Sequence, residues 1–385
     1  MKPARRMAGM PQSGTLRMLD VAKQLEREGR EIIHMEVGEP DFDTPEHIKR
    51  AAREALARGA TKYTPSAGIP ELREAIAEHL QGKGVSATAK EVLVTPGAKH
   101  AIFCAMASAL DPGDEVIIPS PCWTYEGIAL VAGAKPTYIE TIQANEFRLK
   151  VEKVQEKLTS RTRMLVLNYP NNPTGATATK QDLRALADLA ADHKFWVLSD
   201  EIYDCLVYEG DQVSIASLPG MRERAIYING FSKAYAMTGW RLGYAVAPAD
   251  LTQEMIKVQQ ASTSCAAAFV QEAGVAALRG PQGYVGEMRE EYRKRRDVIV
   301  EGLNSIDEFR CIKPKGAFYV FPNIEELDIK SSKLCERLLQ GAGVAAVPGS
   351  EFGPYGEGYI RFSYATSMDN IKNAIERIKA TIERL

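Results

Sequence analysis

Short apolar runs alternate with amphipathic segments through the middle of the chain. Most of these runs are almost continuously apolar, which is typical of strands covered on both faces of a sheet. Helical patterns separate them at Ala101–Leu110 and at Thr179–His193, where Thr179 and Asp182 have the spacing of a capping box. This alternation predicts a mostly parallel α/β sheet. The predicted strands lie at or within Val92–Val94, Asp114–Pro119, Pro136–Glu140, Arg163–Asn168, Phe195–Ser199, Ala225–Asn229 and Gly243–Pro248.

The last hundred residues have a different pattern. A long charged helix is predicted over Tyr284–Leu303, and a final helix carries Ile371, Ile375, Ile378 and Ile382 on one face. Between them lie strands, which predicts a small α+β domain after a large α/β domain. The expected division is 1–44 for an N-terminal arm joining the small domain, 45–283 for the large domain and 284–385 for the small domain. The strands predicted here are Ala317–Phe321, Val344–Val347 and Tyr359–Ser363.

Two helices are predicted near the start of the chain. The first covers Leu16–Gly29. The second has Thr44 as a candidate N-cap, Pro45 at its first position and Glu46 near the positive end of the helix dipole, and Gly59 ends it.

Composition places limits on the classes of function. The 385 residues are 45% hydrophobic and 25% charged with a net charge of −2, which gives no reason to expect nucleic acid or an anionic membrane as partner. The six cysteines and five histidines are scattered, so neither a disulfide framework nor a metal site is expected. No apolar run is long enough to cross a bilayer, and no signal peptide is recognised. A cytoplasmic protein is therefore expected.

Candidate chemistry begins with Lys233, on a loop between two predicted buried strands. Burial favours the neutral amine, which attacks carbonyl groups and forms Schiff bases. Arg241 follows eight positions later as a permanent cation suited to phosphate or carboxylate. Taken alone, both residues have a plain alternative as solvated surface cations.

Further polar residues follow other strands, where ligands of open α/β sheets bind. Gly97-Ala98-Lys99 stands at the start of a predicted helix, where backbone N–H groups can bind an anion such as phosphate. The alternative is that these residues form only a tight connection between strand and helix. Asn172 lies in a turn rich in asparagine and proline, which is a rigid turn or a ligand-binding loop. Asp200 follows a buried strand and needs a partner, either a helix N-terminus or a cationic ligand.

Together these residues resemble the site of class I/II pyridoxal-phosphate aminotransferases of fold type I. The likeness runs from Val37–Phe42 to Arg361–Ala365, which is nearly the whole chain. It implies a large domain with a mostly parallel seven-stranded sheet between helices, a small α+β domain, and pyridoxal 5'-phosphate as cofactor. The residues that match in order and approximate spacing are Asn172, Asp200, Tyr203, Lys233 and Arg241.

The resemblance also implies a role for each residue around the cofactor. Lys233 is the Schiff-base lysine and proton shuttle, and Asp200 pairs with the pyridinium nitrogen. Tyr203 and Asn172 bind the phenolic oxygen of the ring.

Other matches concern the ring face, the phosphate and the substrate. Trp123 stacks on the ring, where the alternative is a core tryptophan, and Arg241 with Ala98 and Lys99 forms the phosphate cradle. Tyr63 reaches the phosphate of the other subunit, so a homodimer with shared active sites is expected. Arg361 binds the substrate α-carboxylate, and Gly38 allows close approach of the backbone. One position departs from the family, because many relatives have a phosphate-binding serine where this chain has Gly230.

The substrate side chain is the least determined feature. One branch of aspartate aminotransferases places a lysine after the phosphate-loop glycine to read the distal carboxylate, and Lys99 stands there. Ser13-Gly14-Thr15 also resembles the segment of that branch that closes over the substrate. These likenesses favour ping-pong transamination of aspartate with 2-oxoglutarate, although Lys99 has the plain alternative of a solvated lysine at a helix start.

The same residues leave several other functions open. The same cofactor constellation serves aminotransferases for alanine, aromatic or other amino acids, and C–S β-lyases of the same fold. A nicotinamide enzyme is disfavoured because no Gly-x-Gly-x-x-Gly follows a predicted strand. A DNA-binding regulator is disfavoured by the charge balance.

Overall fold

The computed structural model describes residues 7, 9, 10 and 14–385. The helices are α1 (Gly14–Arg27), α2 (Glu46–Ala57), α3 (Pro70–Gln81), α4 (Ala98–Ala109), α5 (Tyr125–Val131), α6 (Val151–Gln155), α7 (Lys180–His193), α8 (Ala249–Ser262), α9 (Ala268–Arg279), α10 (Gly283–Leu303), α11 (Ser331–Arg337) and α12 (Met368–Ile382). The strands are β1 (Ile33–His34), β2 (Val92–Thr95), β3 (Glu115–Ser120), β4 (Lys135–Glu140), β5 (Thr162–Asn168), β6 (Trp196–Asp200), β7 (Ala225–Gly230), β8 (Gly243–Val246), β9 (Tyr319–Val320), β10 (Val344–Ala345), β11 (Val347–Pro348) and β12 (Ile360–Ser363).

A seven-stranded sheet forms the centre of the large unit, in the order β2-β8-β7-β6-β5-β3-β4. The pairs from β7 through β4 are parallel, whereas β8 is antiparallel to both of its neighbours. The predicted mostly parallel sheet is therefore confirmed. Because parallel strands end at the same edge, the polar residues at the ends of β5 and β6 are brought together.

Except at the partly exposed edge strand β4, the strands of this sheet are largely buried on both faces, as the continuous apolar runs predicted. Alternate residues of a strand point to opposite faces, so each strand needs apolar side chains at successive positions. One face packs under α4 and α8, and the other packs under α7. The first face includes Ile118, Val166, Leu198 and Ile226, and the second includes Ile117, Leu165, Leu167 and Val197.

A smaller unit contains the sheet β11-β12-β9 and the pair β1-β10, packed with α10 and α12. The strand β1 pairs in parallel with β10, with Ile33 opposite Val344. The amide of Ser363 in β12 also donates to the Met35 carbonyl at 2.7 Å. The early segment is therefore built into the same layer as the last strands.

Three local predictions needed correction. Thr44 does not cap α2, because its hydroxyl donates to the Ala236 carbonyl at 2.6 Å and accepts from Trp240 Nε1 at 3.1 Å. The strand predicted over Ala317–Phe321 is limited to two residues, and the one predicted over Val344–Val347 divides at Ala346 into β10 and β11. Within residues 14–385, no helix is both long and apolar enough to cross a membrane.

Candidate active site

A cleft of about 380 Å³ opens where β5 and β6 end, facing the smaller unit. Every residue singled out from the sequence as a site residue lines this cleft, except Tyr63. The lining residues among them are Gly38, Ala98, Lys99, Trp123, Asn172, Asp200, Tyr203, Lys233, Arg241 and Arg361. Residues as far apart in the chain as Gly38 and Arg361 thus meet in one place.

Lys233 lies on the loop after β7, and its amine donates a hydrogen bond to the Gly38 carbonyl. Burial lowers the pKa of Lys233 to about 8, and the nearby cations Arg361 and Arg241 act in the same direction. A substantial fraction of the amine is therefore neutral near physiological pH, as a nucleophile requires.

Asp200 is the last residue of β6 and is 5% exposed. Its Oδ2 accepts from the Tyr125 hydroxyl at 2.7 Å, and its Oδ1 accepts from the Ile202 amide at 3.2 Å. Burial raises the pKa of Asp200 to about 6 although both hydrogen bonds oppose the rise. A carboxylate desolvated to this degree gains from a cation beside it, which fits the protonated ring nitrogen that the resemblance implies.

Arg361, in β12, is a buried cation at the side of the cleft nearest the smaller unit. Its Nη1 donates to Asn172 Oδ1 at 2.9 Å, and its Nη2 donates to the Glu36 carbonyl. The guanidinium carbon lies 4.6 Å from the ring centre of Tyr319, and Nε is buried without a hydrogen-bond partner. Among the described residues no carboxylate lies within ion-pair distance of Arg361, so the site suits a carboxylate brought by a ligand.

Tyr203 and Tyr319 form a hydrogen-bonded pair, with their hydroxyl oxygens 2.7 Å apart. A Cβ atom at Gly38 would lie 1.9 Å from the Tyr319 hydroxyl oxygen. Only glycine therefore lets the backbone at position 38 pass this tyrosine and present its carbonyl to Lys233.

The cleft has a second basic end, formed by Arg241 and the first turn of α4. Arg241 has φ of +54° and donates from Nη1 to the Thr238 carbonyl at 2.7 Å. A Cβ atom at Gly97 would lie 2.4 Å from Arg241 Nη2, and one at Gly243 would lie 2.3 Å from the Ala98 amide nitrogen. These close approaches bring a guanidinium to a helix N-terminus, which fits a phosphate group.

Gly230, the departure from the family pattern, has no room for a side chain. A Cβ atom there would lie 2.9 Å from the Leu242 carbonyl oxygen. Ser232, in contrast, is buried and lines the cleft.

Lys99 and Trp123 contact each other across the mouth of the cleft. Lys99 Nζ lies 4.6 Å from the Trp123 ring centre. Lys99 is an exposed residue, and its partial desolvation, followed by repulsion from Arg241, lowers its pKa. The cation is thus held over an aromatic face with no carboxylate in ion-pair distance among the described residues.

Two further parts of the chain were linked to the site by the sequence analysis, namely the segment around Gly14 and Tyr63. Gly14 and Thr15 line the cleft, while Ser13 lies outside the described residues. Arg17 pairs with Glu351, which also lines the cleft. Tyr63 is 90% exposed and lies away from the cleft lining of its own chain.

Sequence reasoning missed Tyr125, Tyr319 and the Glu36 carbonyl. Tyr125 stands in the same short stretch as Trp123, yet its partner Asp200 is 75 positions away. Tyr319 sits in an apolar strand that reads as core. Neither carries a local pattern that distinguishes a site residue from an ordinary buried tyrosine.

Comparison with known proteins gives a consistent picture. Residues 30–378 match the family model described as aminotransferase class I and II. The chain is 44% identical to an aspartate/prephenate aminotransferase of Thermus thermophilus, covering 99% of each chain, and 44% identical to aromatic-amino-acid aminotransferase 2 of Thermococcus litoralis, covering 95% of each. The solved structure of Thermus thermophilus aspartate aminotransferase with maleate is similar with a TM-score of 0.95, at 43% identity over 99% of this chain and 100% of that one.

Proposed function

The chain belongs to the aminotransferase class I and II family, and from this membership we propose that it transfers the amino group of aspartate to 2-oxoglutarate. It is a pyridoxal-phosphate-dependent aminotransferase whose substrates are small amino acids and 2-oxo acids. The observation that carries the choice of aspartate is the presence of two cations, Arg361 and Lys99, in one cleft. A dicarboxylate offers one charge to each, and the Thermus thermophilus relative was solved with maleate, which is a dicarboxylate.

Pyridoxal phosphate, when bound, supplies an electron-withdrawing ring that makes the α-proton of the substrate acidic and carries the amino group between the two halves of the reaction. In the proposed arrangement, Arg241, Ser232 and the first turn of α4 hold the phosphate. Asp200 accepts a hydrogen bond from the ring nitrogen, and Tyr203 and Asn172 bind the phenolic oxygen. Trp123 covers a face of the ring.

Lys233 has two tasks in this proposal. Its neutral amine binds the cofactor, and when freed it takes a proton at Nζ from one carbon and gives it to another. The lowered pKa serves both tasks, since a lysine with its usual pKa would be almost fully protonated. Arg361 fixes the α-carboxylate, so that the substrate carbon stays in reach of Nζ.

Absorption spectra of the holoenzyme test the donor directly. Aspartate added without a 2-oxo acid should convert the cofactor's visible band to the band of the amino form. Lys99→Ala should raise the KM for aspartate and 2-oxoglutarate without a matching loss for alanine. Lys153→Ala, which removes an exposed lysine paired with Glu156, is the matched control.

Two outcomes would overturn the choice of aspartate. A spectrum that responds to phenylalanine or tyrosine but not to aspartate would favour the activity named for the Thermococcus litoralis relative. Release of pyruvate and ammonia from cystathionine without a 2-oxo acid would instead indicate a C–S β-lyase.

We further propose a homodimer that shares active sites, because Tyr63 is a large aromatic residue left 90% exposed in a single chain. A monomeric mass in light scattering would contradict it. A cytoplasmic location is also proposed, since all six cysteines are free and four are buried. The division at 1–44, 45–283 and 284–385 stays part of the proposal and is supported by the pairing of β1 with β10.

A further inference from the structure

A second cavity of about 340 Å³ lies behind the wall of the active-site cleft. The turn at residues 200–204 and the loop at residues 230–233 form this wall. Asp200, Tyr203 and Lys233 line the cleft, whereas Glu201 and Asp204 line the second cavity. The carboxylates of this cavity are paired with protein donors, so they point to a structural task rather than to a ligand.

Asp204 is 8% exposed, and a single oxygen of its carboxylate accepts three hydrogen bonds. Lys83 Nζ lies 2.5 Å from Oδ2, Asn229 Nδ2 lies 3.0 Å from it, and the Tyr227 hydroxyl lies 3.3 Å from it. Asn229 in turn accepts from the Gly230 amide at 2.7 Å through Oδ1. The carboxylate therefore links the turn after β6 to the last residues of β7 and to Lys83, which is the second residue after α3.

Glu201 forms a second set of hydrogen bonds that hold the same turn. Its amide donates to the Ile228 carbonyl at 2.9 Å, and its Oε1 accepts from Ser199 at 2.8 Å and from Ser214 at 2.6 Å. The turn is thus attached to β7 at both of its ends, at Glu201 by the backbone and at Asp204 by a charged side chain.

We propose that Asp204, held by Lys83, is a positioning residue that sets the placement of the Asp200 carboxylate relative to the Lys233 amine. These two groups stand on the two segments that Asp204 joins, and both must meet the same rigid ring. The inference rests on the roles proposed for Asp200 and Lys233. A charged tie with a buried carboxylate, which joins the turn after β6 to the end of β7, suits this task. A displacement of about 1 Å in a reacting group costs roughly a hundredfold in rate.

Glu201 and His79 complete the charge environment of Asp204. Burial raises the pKa of Glu201 to about 8 and lowers the pKa of His79 to about 4. Near pH 7 both groups are therefore mainly neutral. Lys83 remains the one cation in ion-pair contact with Asp204 among the described residues, since Arg289 lines the cavity without an ion pair.

The test compares Asp204→Asn, the double variant Asp204→Asn with Lys83→Met, and the control Glu115→Gln. Glu115 is 3% exposed and pairs with Arg161, but it lies at the opposite end of the same sheet. The readouts, taken without substrate, are the dissociation constant for pyridoxal phosphate and the pH midpoint of the bound cofactor's absorption bands. They do not depend on which amino acid is the donor.

The expected result for both Asp204 variants is cofactor binding weakened about tenfold and a displaced pH midpoint, as a shifted site requires. The double variant, which leaves no unpaired charge, should recover thermal stability but not the midpoint. Glu115→Gln should lose stability and keep the wild-type midpoint. The proposal is overturned if the double variant keeps the wild-type midpoint and affinity, or if Glu115→Gln shifts them equally. Lys233→Ala, measured in parallel, should form no covalent link to the cofactor. A link that still forms would show that the role proposed for Lys233 is wrong, whatever the Asp204 variants do.

Discussion

The hydroxyl of Tyr125 donates a 2.7 Å hydrogen bond to Oδ2 of Asp200, and both side chains are buried. The bond joins the first residue of α5 to the end of β6. It opposes the effect of burial, which alone would push the pKa of Asp200 above about 6. Tyr125 therefore helps to keep Asp200 ionised, as the proposed contact with a cationic ring nitrogen requires.

Replacing Tyr125 by Phe should lower kcat about tenfold near neutral pH, since a hydrogen bond to a charged group contributes on the order of 1.5–3 kcal/mol. Without this donor the pKa of Asp200 rises and less carboxylate is present. Raising the pH restores the carboxylate, so the loss should be smaller at alkaline pH. Tyr169→Phe, which removes the hydroxyl that accepts a hydrogen bond from the Leu149 amide at a part-buried position, is the control. An equal loss at all pH values would contradict the charge explanation.

The rate at which the apoenzyme takes up pyridoxal phosphate should depend on the charge of Lys233. Because only the neutral amine reacts, the rate should increase through a midpoint near the pKa of about 8 and level off above it. Stopped-flow absorbance measures this directly, with Lys233→Ala as the variant that forms no covalent link. A midpoint near the ordinary lysine value would show that the cleft does not desolvate the amine.

Replacing Arg361 by Lys should raise the KM for both amino acid and 2-oxo acid by about a hundredfold, because lysine keeps the charge but loses the bidentate fork. The hydrogen bond to Asn172 would be lost as well. Steady-state kinetics against both substrates measure the change. Arg310→Lys, at an exposed pair in which Nη2 donates to both carboxylate oxygens of Glu326, should leave both constants unchanged. Unchanged KM values in Arg361→Lys would remove the carboxylate role.

Stability should fall with rising pH through the titration of His34. Its hydrogen bond to the buried Glu36 at 2.7 Å, assisted by Glu26 at 3.0 Å, raises the pKa of His34 to about 9. A raised pKa stabilises the folded state fully below the unfolded value of about 6.5, and this contribution disappears as the pH passes 9.

Denaturant unfolding of the wild type and His34→Gln should reveal this contribution. The advantage of the wild type is expected to be about 1–2 kcal/mol near pH 6, since water screens a half-buried pair, and to vanish near pH 10. An advantage that stays constant over this range would contradict the assignment.

The elements predicted correctly from the sequence are those whose signal is local. Thr179 caps α7 and forms the capping box with Asp182, as its spacing predicted. Thr44 has the same type of signal, but its hydroxyl donates instead to the Ala236 carbonyl, 192 positions away. The sheet and its polar strand ends were likewise readable, because two-faced burial leaves a clear pattern in each strand.

The parts that were not predictable depend on contacts between distant segments. Asp200 could be singled out as a carboxylate after a buried strand, but its partner Tyr125 could not. The sequence shows at Gly230 only that a serine is missing. The reason, which is the lack of space for a side chain beside the Leu242 carbonyl, depends on the folded structure. Tyr319 looked like core because a strand shows which side chains are buried but not which of them face a cleft.

The pairing of β1 with β10 sets the order in which parts of the chain can fold during synthesis. The ribosome makes residues 33 and 34 roughly 300 residues before their partners, a delay of tens of seconds at ordinary translation rates. During that time the segment that gives its Gly38 carbonyl to Lys233 has no strand to pair with. The large unit can collapse around its own sheet first, and the active site is completed only when the last strands leave the exit tunnel. A chain that stalls before β10 would therefore carry an assembled central sheet and an unfinished catalytic cleft.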